Sequence, residues 1–498
     1  MTQKIQKILI ANRGEIALRI MRSAKSAGIK TVAVYSEADE QALFVRFADE
    51  SACIGPPPSS ESYLQIDKII EVCKDLNVDA VHPGYGFLSE NAAFARALEE
   101  ANINFIGPGA EAIQTMGDKI SAKQAVGKFG VPLVPGMDKP IEDVAEARKI
   151  ATEIGYPVLV KASAGGGGKG MRIVHKDEDF EGEMERAMSE AQSAFGNGAV
   201  FVEKFITAPK HIEVQIIGDQ HGNLVHLFER DCSVQRRHQK VVEEAPSPIL
   251  DHEERMNIGE AALKVARACN YYNAGTVEFI MDGNKEFYFL EMNTRLQVEH
   301  PVTEQITGVD LVREQIRVAE GHPLSFRQED LAVKGHSIEI RVYAEDPKNN
   351  FAPSIGNLEV YRRPEGDGVR LDDGYEQGQD IPIYYDPMIA KLVATGKDRE
   401  EAMARLLQAI RDYRIIGVKT TLPFCEFVLQ HEAFRGGNFT TKFVEQYFTP
   451  EVLLGSEPDT ESIHAALAAA AFLDHASDQQ RTPQIPVNKS NWKTRLRH

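Results

Sequence analysis

Three consecutive segments near the start restrict the fold most. Lys7-Ile8-Leu9-Ile10-Ala11 is an apolar run, Glu15 to Ala27 carries Ile16, Ile20, Ala24 and Ala27, and Thr31-Val32-Ala33-Val34-Tyr35 is apolar again. The first and last read as buried strands, and the middle as a helix ended by Gly28. Strand, helix and strand within about 30 residues imply a right-handed crossover between parallel neighbours. The pattern recurs through Tyr63 to Leu76 (helix), Ala80-Val81 (strand), Asn91 to Glu100 (helix) and Asn104-Phe105-Ile106 (strand). The chain therefore opens on an α/β domain with a parallel sheet. Its first turn, Ala11-Asn12-Arg13-Gly14-Glu15, lacks the three-glycine fingerprint of a dinucleotide site.

The character changes from about Met116. A helix is expected around Lys119 to Phe129, then a Pro-punctuated boundary at Val131-Pro132-Leu133-Val134-Pro135. Two short strands flank a glycine run, followed by a charged helix from Asp177 to Ala194. Strand-rich segments are expected up to about Thr303, then a helix from Val309 to Glu320. Residues 335–394 read as mostly β, with Ser337-Ile338-Glu339-Ile340-Arg341-Val342-Tyr343 alternating cleanly. Helices from Arg399 to Asp412 and around Thr421 to Leu429 close the folded part. After about Pro450 come an acidic loop, one Ala-rich helix and a polar, basic end expected to be disordered.

The chain's 498 residues suit about three domains. Its 56 Lys and Arg against 74 Asp and Glu leave a formal charge of −18, which argues against a nucleic-acid partner. The longest apolar stretch, Ala465 to Leu473, falls short of the roughly 20 residues a bilayer requires. Ile8-Leu9-Ile10 runs straight into Asn12, Arg13 and Glu15, so no signal-peptide core is expected. The five cysteines show no C-x-x-C pairing and read as reduced thiols. The expectation is a cytoplasmic protein without a membrane span or a structural zinc site.

Chemistry first appears in Lys161-Ala162-Ser163-Ala164-Gly165-Gly166-Gly167-Gly168-Lys169-Gly170-Met171. Five glycines in six residues let backbone N–H groups approach an anion closely, and Lys169 adds charge at the tip. The loop joins two strands and lacks the Walker order, so it reads as a mobile flap over a triphosphate or a plain hairpin tip. Lys161, ending the preceding strand, could also reach phosphate.

A second constellation follows from strand parity. Thr276 to Met281 and Glu286 to Asn293 read as strands around Asp282-Gly283-Asn284-Lys285, which offers two two-residue hairpin turns. Either turn sets even positions on the first strand against odd positions on the second, so Glu278 shares a face with Glu291 and Asn293. A three-residue turn would break this parity. Two carboxylates and an amide on one face suit Mg²⁺ or Mn²⁺ bridging to phosphates, or a solvated polar face. Downstream, Arg295, Gln297 and Glu299 would line one edge if Asn293 to Pro301 stays extended. The dense run Arg230-Asp231-Cys232-Ser233-Val234-Gln235-Arg236-Arg237-His238-Gln239-Lys240 reads as an anion-binding patch.

Together the glycine flap, the Glu278/Glu291/Asn293 hairpin and the Arg295-x-Gln297-x-Glu299 run resemble an ATP-grasp enzyme of the biotin carboxylase family. Ile10-Ala11-Asn12-Arg13-Gly14-Glu15-Ile16-Ala17, His82-Pro83-Gly84-Tyr85-Gly86-Phe87-Leu88-Ser89-Glu90-Asn91 and Arg236-Arg237-His238-Gln239-Lys240 are similar to it too. The resemblance implies an N-terminal α/β domain (1–115), an ATP-grasp domain (116–333, lid about 136–204), a C-terminal mixed α+β domain (334–449) and a tail (450–498). It implies ATP binding by Lys119, Lys161, Gly165, Gly166, Gly167, Gly168, Lys169, Gly170, Gln235, His238 and His211, with Glu203 and Lys204 at the adenine hinge. Glu278, Glu291 and Asn293 would hold two divalent ions. Lys240, Arg295, Gln297 and Val298 would hold bicarbonate, Glu299 would be the general base, and Arg341 would stabilise an enolate-like biotin.

The implied reaction is carboxylation of biotin by ATP and bicarbonate through carboxyphosphate. No Met-Lys-Met attachment site occurs, so biotin is expected on a separate carboxyl carrier protein. A carboxyltransferase subunit would complete an acyl-CoA or pyruvate carboxylase, and a homodimer is a further possibility within the family. Another ATP-grasp ligase using an acyl phosphate would explain the flap and hairpin but leave the basic run coincidental. A nucleotide-sensing regulator is disfavoured because every proposed catalytic position carries a competent side chain.

Overall fold

The computed structural model describes residues 4–137, 139, 141, 143–162, 171–195, 198–456, 465, 468 and 469. Residues 1–448 form one compact unit and 449–498 a second. In the second, Pro450–Ser456 forms a 3₁₀ turn, and Ala465, Ala468 and Ala469 are helical and exposed. The rest of the expected Ala-rich helix and the basic end lie outside the described residues.

The first sheet has β1 (Lys7–Ile10), β2 (Lys30–Ser36), β3 (Glu50–Gly55), β4 (Ala80–His82) and β5 (Asn104–Phe105) in the order β3-β2-β1-β4-β5. All its pairings are parallel. Helices cover both faces, so β1 and the middle of β2 are buried and read as unbroken apolar runs. β3 was not expected: it is an edge strand, half exposed, and carries the polar Glu50 and Ser51. The helix expected from Tyr63 begins only at Ile66 (Ile66–Asp75). Tyr63 instead stacks on Phe87 and donates to Asp39 Oδ2 at 2.6 Å.

A small antiparallel sheet follows, β6 (Val158–Ala162), β7 (Met171–Val174) and β8 (Val200–Lys204), in the order β7-β6-β8. Helices Val144–Ile154 and Phe180–Phe195 pack on it through Ala147, Ala151, Phe180 and Met184.

The site is built on the third sheet. It contains β9 (Lys210–Gly218), β10 (Leu224–Arg236), β11 (Gln239–Ala245), β12 (Asn273–Met281), β13 (Phe287–Asn293), β14 (His336–Tyr343), β15 (Val369–Asp373) and β16 (Met388–Gly396). The order is β13-β12-β9-β10-β11-β14-β16-β15, antiparallel throughout. Ile212, Val214, Ile216, Val277 and Phe279 bury one face against helix His252–Ala268. Ile338, Ile340 and Val342 do the same against Ala402 and Leu406 of helix Arg399–Asp412. The helix 252–268 replaces strands expected there; Asp251 and Glu254 form a capping box ahead of Ile258, Ala262 and Val265. All eight residues of β14 are buried, so its alternation separates an apolar core from a polar interior, with neither face in solvent. Among the described residues no helix is long and apolar enough to cross a membrane.

Candidate active site

The opposite face of the long sheet carries charge. Arg230 on β10 is fully buried and donates to Glu213 Oε1 at 2.6 Å, Gln215 Oε1 at 2.8 Å, Thr303 Oγ1 at 2.9 Å and Thr276 Oγ1 at 3.0 Å. Such a cation is tolerated inside because every direction meets an acceptor. The basic run thus divides: Arg230 and Arg236 are matched by carboxylates inside the protein, while its hairpin end opens on a cleft. Strand alternation and a hairpin at Arg237 and His238, both with positive φ, send its members in different directions. Arg236 pairs with Glu345 at 2.7 Å and stacks on Phe351. Arg237 and His238 are exposed, and with Gln235 and Lys240 they line a cleft of about 1020 Å³.

Lys240 sits among three carboxylates. Its Nζ is 2.8 Å from Glu278 Oε1, 2.7 Å from Glu299 Oε1, and also pairs with Glu213. Burial disfavours the ammonium, but the surrounding carboxylates raise its pKa well above the ordinary lysine value. Burial likewise pushes the Glu278 carboxyl up, yet Lys240 and His211 more than offset it and hold it well below the usual range. His211 Nε2 lies 2.9 Å from Glu278 Oε2, and its Nδ1 is 3.0 Å from Gln235 Nε2.

The hairpin turn differs from expectation. Asp282 N–H donates to the Glu286 carbonyl at 2.9 Å across Gly283, Asn284 and Lys285, and Lys285 has positive φ, so the turn has three residues. That breaks the assumed parity. A bulge restores it: Phe279 pairs with Phe289 but Glu278 with Glu291, leaving Leu290 as the extra residue. Glu278 and Glu291 therefore face one another, and Asn293 Nδ2 donates to Glu278 Oε1 at 2.8 Å. Glu278, Glu291 and Asn293 all line the cleft. His211, Glu213 and Glu278 each bring one ligand atom within 4.8 Å of the others, a grouping suited to a divalent cation.

Beyond Asn293 the chain does not stay extended. It bends, and Glu299 becomes the N-cap of helix His300–Thr307, which starts there because Pro301 sets φ and needs no N–H partner. Arg295 turns to Glu90, with Nε 2.8 Å from Oε2, and donates to Asn293 Oδ1 at 2.9 Å. Gln297 donates to Glu278 Oε1 at 3.2 Å. Glu299, completely buried, offers Oε1 to Lys240 and Oε2 to Arg341 Nη2 at 2.9 Å, while Arg341 Nε donates to Glu243 Oε1 at 2.6 Å. Burial opposes ionisation of Glu299, but Lys240, Arg341 and Arg230 hold it below the usual carboxylate range. Arg295, Gln297, Val298 and Arg341 reach the same cleft.

The remaining candidates lie apart. Lys161, Glu203 and Lys204 are on the small sheet and do not line this cleft. Glu203 accepts from Lys161 at 2.6 Å and Lys123 at 2.7 Å, and these lysines, against the cost of burial, hold its carboxyl low. Lys204 Nζ donates to the Gly155 carbonyl at 2.7 Å. Lys119 opens helix Lys119–Gly127, but its side chain lies outside the described residues, as do Gly165, Gly166, Gly167, Gly168, Lys169 and Gly170.

Sequence reasoning missed Glu213, Glu243, Glu339 and Lys391 as members of this interior, and assigned no role to Glu90. Glu243 and Glu339 are cross-strand partners on β11 and β14. Both Glu339 oxygens are buried without a hydrogen bond, and burial pushes that carboxyl well up. The available signal was charge recurring on one parity of several strands of a sheet whose other parity is apolar.

Family models match three stretches: the biotin carboxylase N-terminal domain over residues 4–113, the carbamoyl-phosphate synthase L chain ATP-binding domain over 118–327 and the biotin carboxylase C-terminal domain over 339–446. Biotin carboxylase 1 of Bacillus subtilis (strain 168) is 53% identical over 444 residues, 89% of this chain and 99% of that one. The mitochondrial propionyl-CoA carboxylase alpha chain of Homo sapiens is 50% identical over 496 residues, 98% of this chain and 68% of that one. A crystal structure of the Hydrogenobacter thermophilus 2-oxoglutarate carboxylase biotin carboxylase domain dimer, in complex with MgADP, ADP and bicarbonate, superposes with a TM-score of 0.81 at 49% identity. It covers 91% of this chain and 99% of that one. Fold and site define an ATP-grasp enzyme. The chain belongs to the biotin carboxylase family, and its activity is that of a biotin carboxylase.

Proposed function

We propose that this chain carboxylates biotin on a separate carrier protein, using ATP and bicarbonate, and that residues in and around the cleft divide the work as follows. Glu278, Glu291 and Asn293 hold divalent ions, which when bound neutralise charge on the triphosphate. His211, Gln235 and His238 bound the nucleotide's side of the cleft; Lys119, Lys161 and Gly165 to Gly170 add to ATP binding, with Glu203 and Lys204 at the adenine hinge. Lys240, Arg295, Gln297 and the Val298 N–H hold bicarbonate. Glu299 takes its proton, and the carbonate oxygen attacks the γ-phosphorus, forming carboxyphosphate and releasing ADP. Carboxyphosphate gives CO₂ and phosphate, the phosphate accepts the biotin ureido proton, Arg341 stabilises the resulting enolate, and the ureido nitrogen then bonds to CO₂, giving carboxybiotin. Positioning and charge neutralisation provide most of the acceleration in such phosphoryl transfer.

The observation that carries this reading is the unbroken buried series Glu278–Lys240–Glu299–Arg341. It supports one further point. A carboxylate flanked by two cations is a weak base. A bicarbonate that draws Lys240 toward itself removes one cation from Glu299, so binding the substrate strengthens the base that deprotonates it.

A carboxyltransferase partner and a homodimeric state belong to the same proposal. The test is ATP hydrolysis with free biotin, with and without bicarbonate. Phosphate release that does not depend on bicarbonate in folded protein would end the reading.

A further inference from the structure

The turn carrying Gln297, Val298 and Glu299 lies between β13 and the 300–307 helix, and no strand ladder holds its backbone. Two buried side chains do. His300, with no exposed surface, places Nδ1 2.8 Å from the Gln297 carbonyl oxygen. A carbonyl only accepts, so this nitrogen carries the proton. Lys391 on β16, equally buried, donates from Nζ to the Val298 carbonyl at 3.0 Å. The same Nζ lies 3.1 Å from Glu15 Oε2, and Glu15 Oε1 accepts from Tyr85. An ammonium buried this deeply is costly unless matched, and Glu15 supplies the matching charge. The bond to Val298 is a separate contact, aimed at one backbone atom.

The geometry of a trans peptide gives these tethers a consequence. Carbonyl and N–H of one peptide point opposite ways. Fixing the Gln297 carbonyl fixes the direction of the Val298 N–H, and fixing the Val298 carbonyl sets the peptide that leads into Glu299. We propose that His300 and Lys391 are positioning residues for bicarbonate: by tying back two successive carbonyls they hold the Val298 N–H and the Glu299 carboxylate toward the anion. This rests on the reading of residues 295–299 as the bicarbonate site. Burial, with Lys391 and Arg19 nearby, keeps the His300 imidazole well below its ordinary pKa, so the neutral, Nδ1-protonated ring persists around neutrality.

The test uses the full chain and bicarbonate-dependent ATP hydrolysis with free biotin. His300→Gln fills the space but cannot donate from the position of Nδ1, whereas His300→Asn can. The Gln variant should raise the bicarbonate KM by about 5–100-fold, the range for one lost buried hydrogen bond, with the ATP KM moving far less. The Asn variant should recover most of that loss, and Lys391→Met should show the same selective rise. Equal increases in both KM values, an unchanged bicarbonate KM in His300→Gln, or an Asn variant as impaired as the Gln variant would each overturn the inference. Should Lys391→Met fail to fold, the His300 pair decides. A wild-type chain without bicarbonate dependence would sink the underlying site reading, and with it this inference, by a different result.

Discussion

Glu299→Gln separates chemistry from architecture because the structure shows what the change leaves in place. The amide keeps the size of the carboxylate and loses its charge. Lys240 retains Glu213 and Glu278, and Arg341 retains Glu243 at 2.6 Å, so neither buried cation is stranded. The nucleotide side of the cleft, with His211 on Glu278 at 2.9 Å, is not touched. Loss of a positioned base costs about 10²–10⁴-fold in rate, or roughly 3–5 kcal/mol of barrier. Biotin-dependent, bicarbonate-dependent phosphate release should therefore fall by about that factor. Nucleotide affinity, measured by calorimetry with Mg-ADP, should stay within a few-fold. Turnover within threefold of wild type would remove Glu299 from the role of base. A large loss of nucleotide affinity would show instead that its contact with Lys240 is architectural.

Arg341→Ala should reduce biotin carboxylation more than basal ATP hydrolysis; equal losses would argue against a role specific to biotin. Glu291→Ala should raise the Mg²⁺ concentration for half-maximal rate by about tenfold or more, and an unchanged Mg²⁺ response would exclude that carboxylate from the ion site. Arg230→Met leaves the buried Glu213 and Gln215 short of a donor and should lower stability by about 3–5 kcal/mol in urea unfolding; a loss below about 1 kcal/mol would mean that water replaces the guanidinium. Burial holds His82 at about 4, against 6.5 ordinarily, and its Nδ1 accepts from Gly84 N–H. The neutral form is the folded one, so this group's stabilisation is present above 6.5 and is lost as pH falls toward 4. His82→Gln should flatten the pH dependence of unfolding in that window by up to about 1.4 kcal/mol per pH unit; an identical slope would contradict this.

The parallel N-terminal sheet was legible because strands covered on both sides read as unbroken apolar runs, as β1 does. The β3 edge was not, since Glu50 and Ser51 carry no such signal. Helix 252–268 was hidden by its Ala-rich stripe, although Asp251 and Glu254 announced its start. At the site, Glu278, Glu291 and Asn293 were found to share a face although the turn was misjudged, because the loop residue and the bulge at Leu290 cancel. Arg295, Gln297 and Glu299 stood out by spacing. Glu213, Glu243, Glu339 and Lys391 did not, because a charge alternating along a strand looks like a wetted surface until another layer is known to cover it. That layer, the 300–307 helix and the N-terminal sheet's neighbours, is a tertiary fact.

Strands on both sides of residue 334 share one ladder: β11 is bonded to β10 on one side and to β14 on the other. The backbones of β12 and β14, which carry Glu278 and Arg341, thus stand four strand spacings apart, about 19 Å along the hydrogen-bonding direction, and Lys240 and Glu299 bridge the gap between their side chains. A ladder of this kind works as a gauge block. The distance between the end that would handle phosphate and the end that would handle biotin is machined into backbone pairing and does not depend on any hinge. Removing the residues after 334 would bare the β11 edge and discard the calibration along with the lost strands.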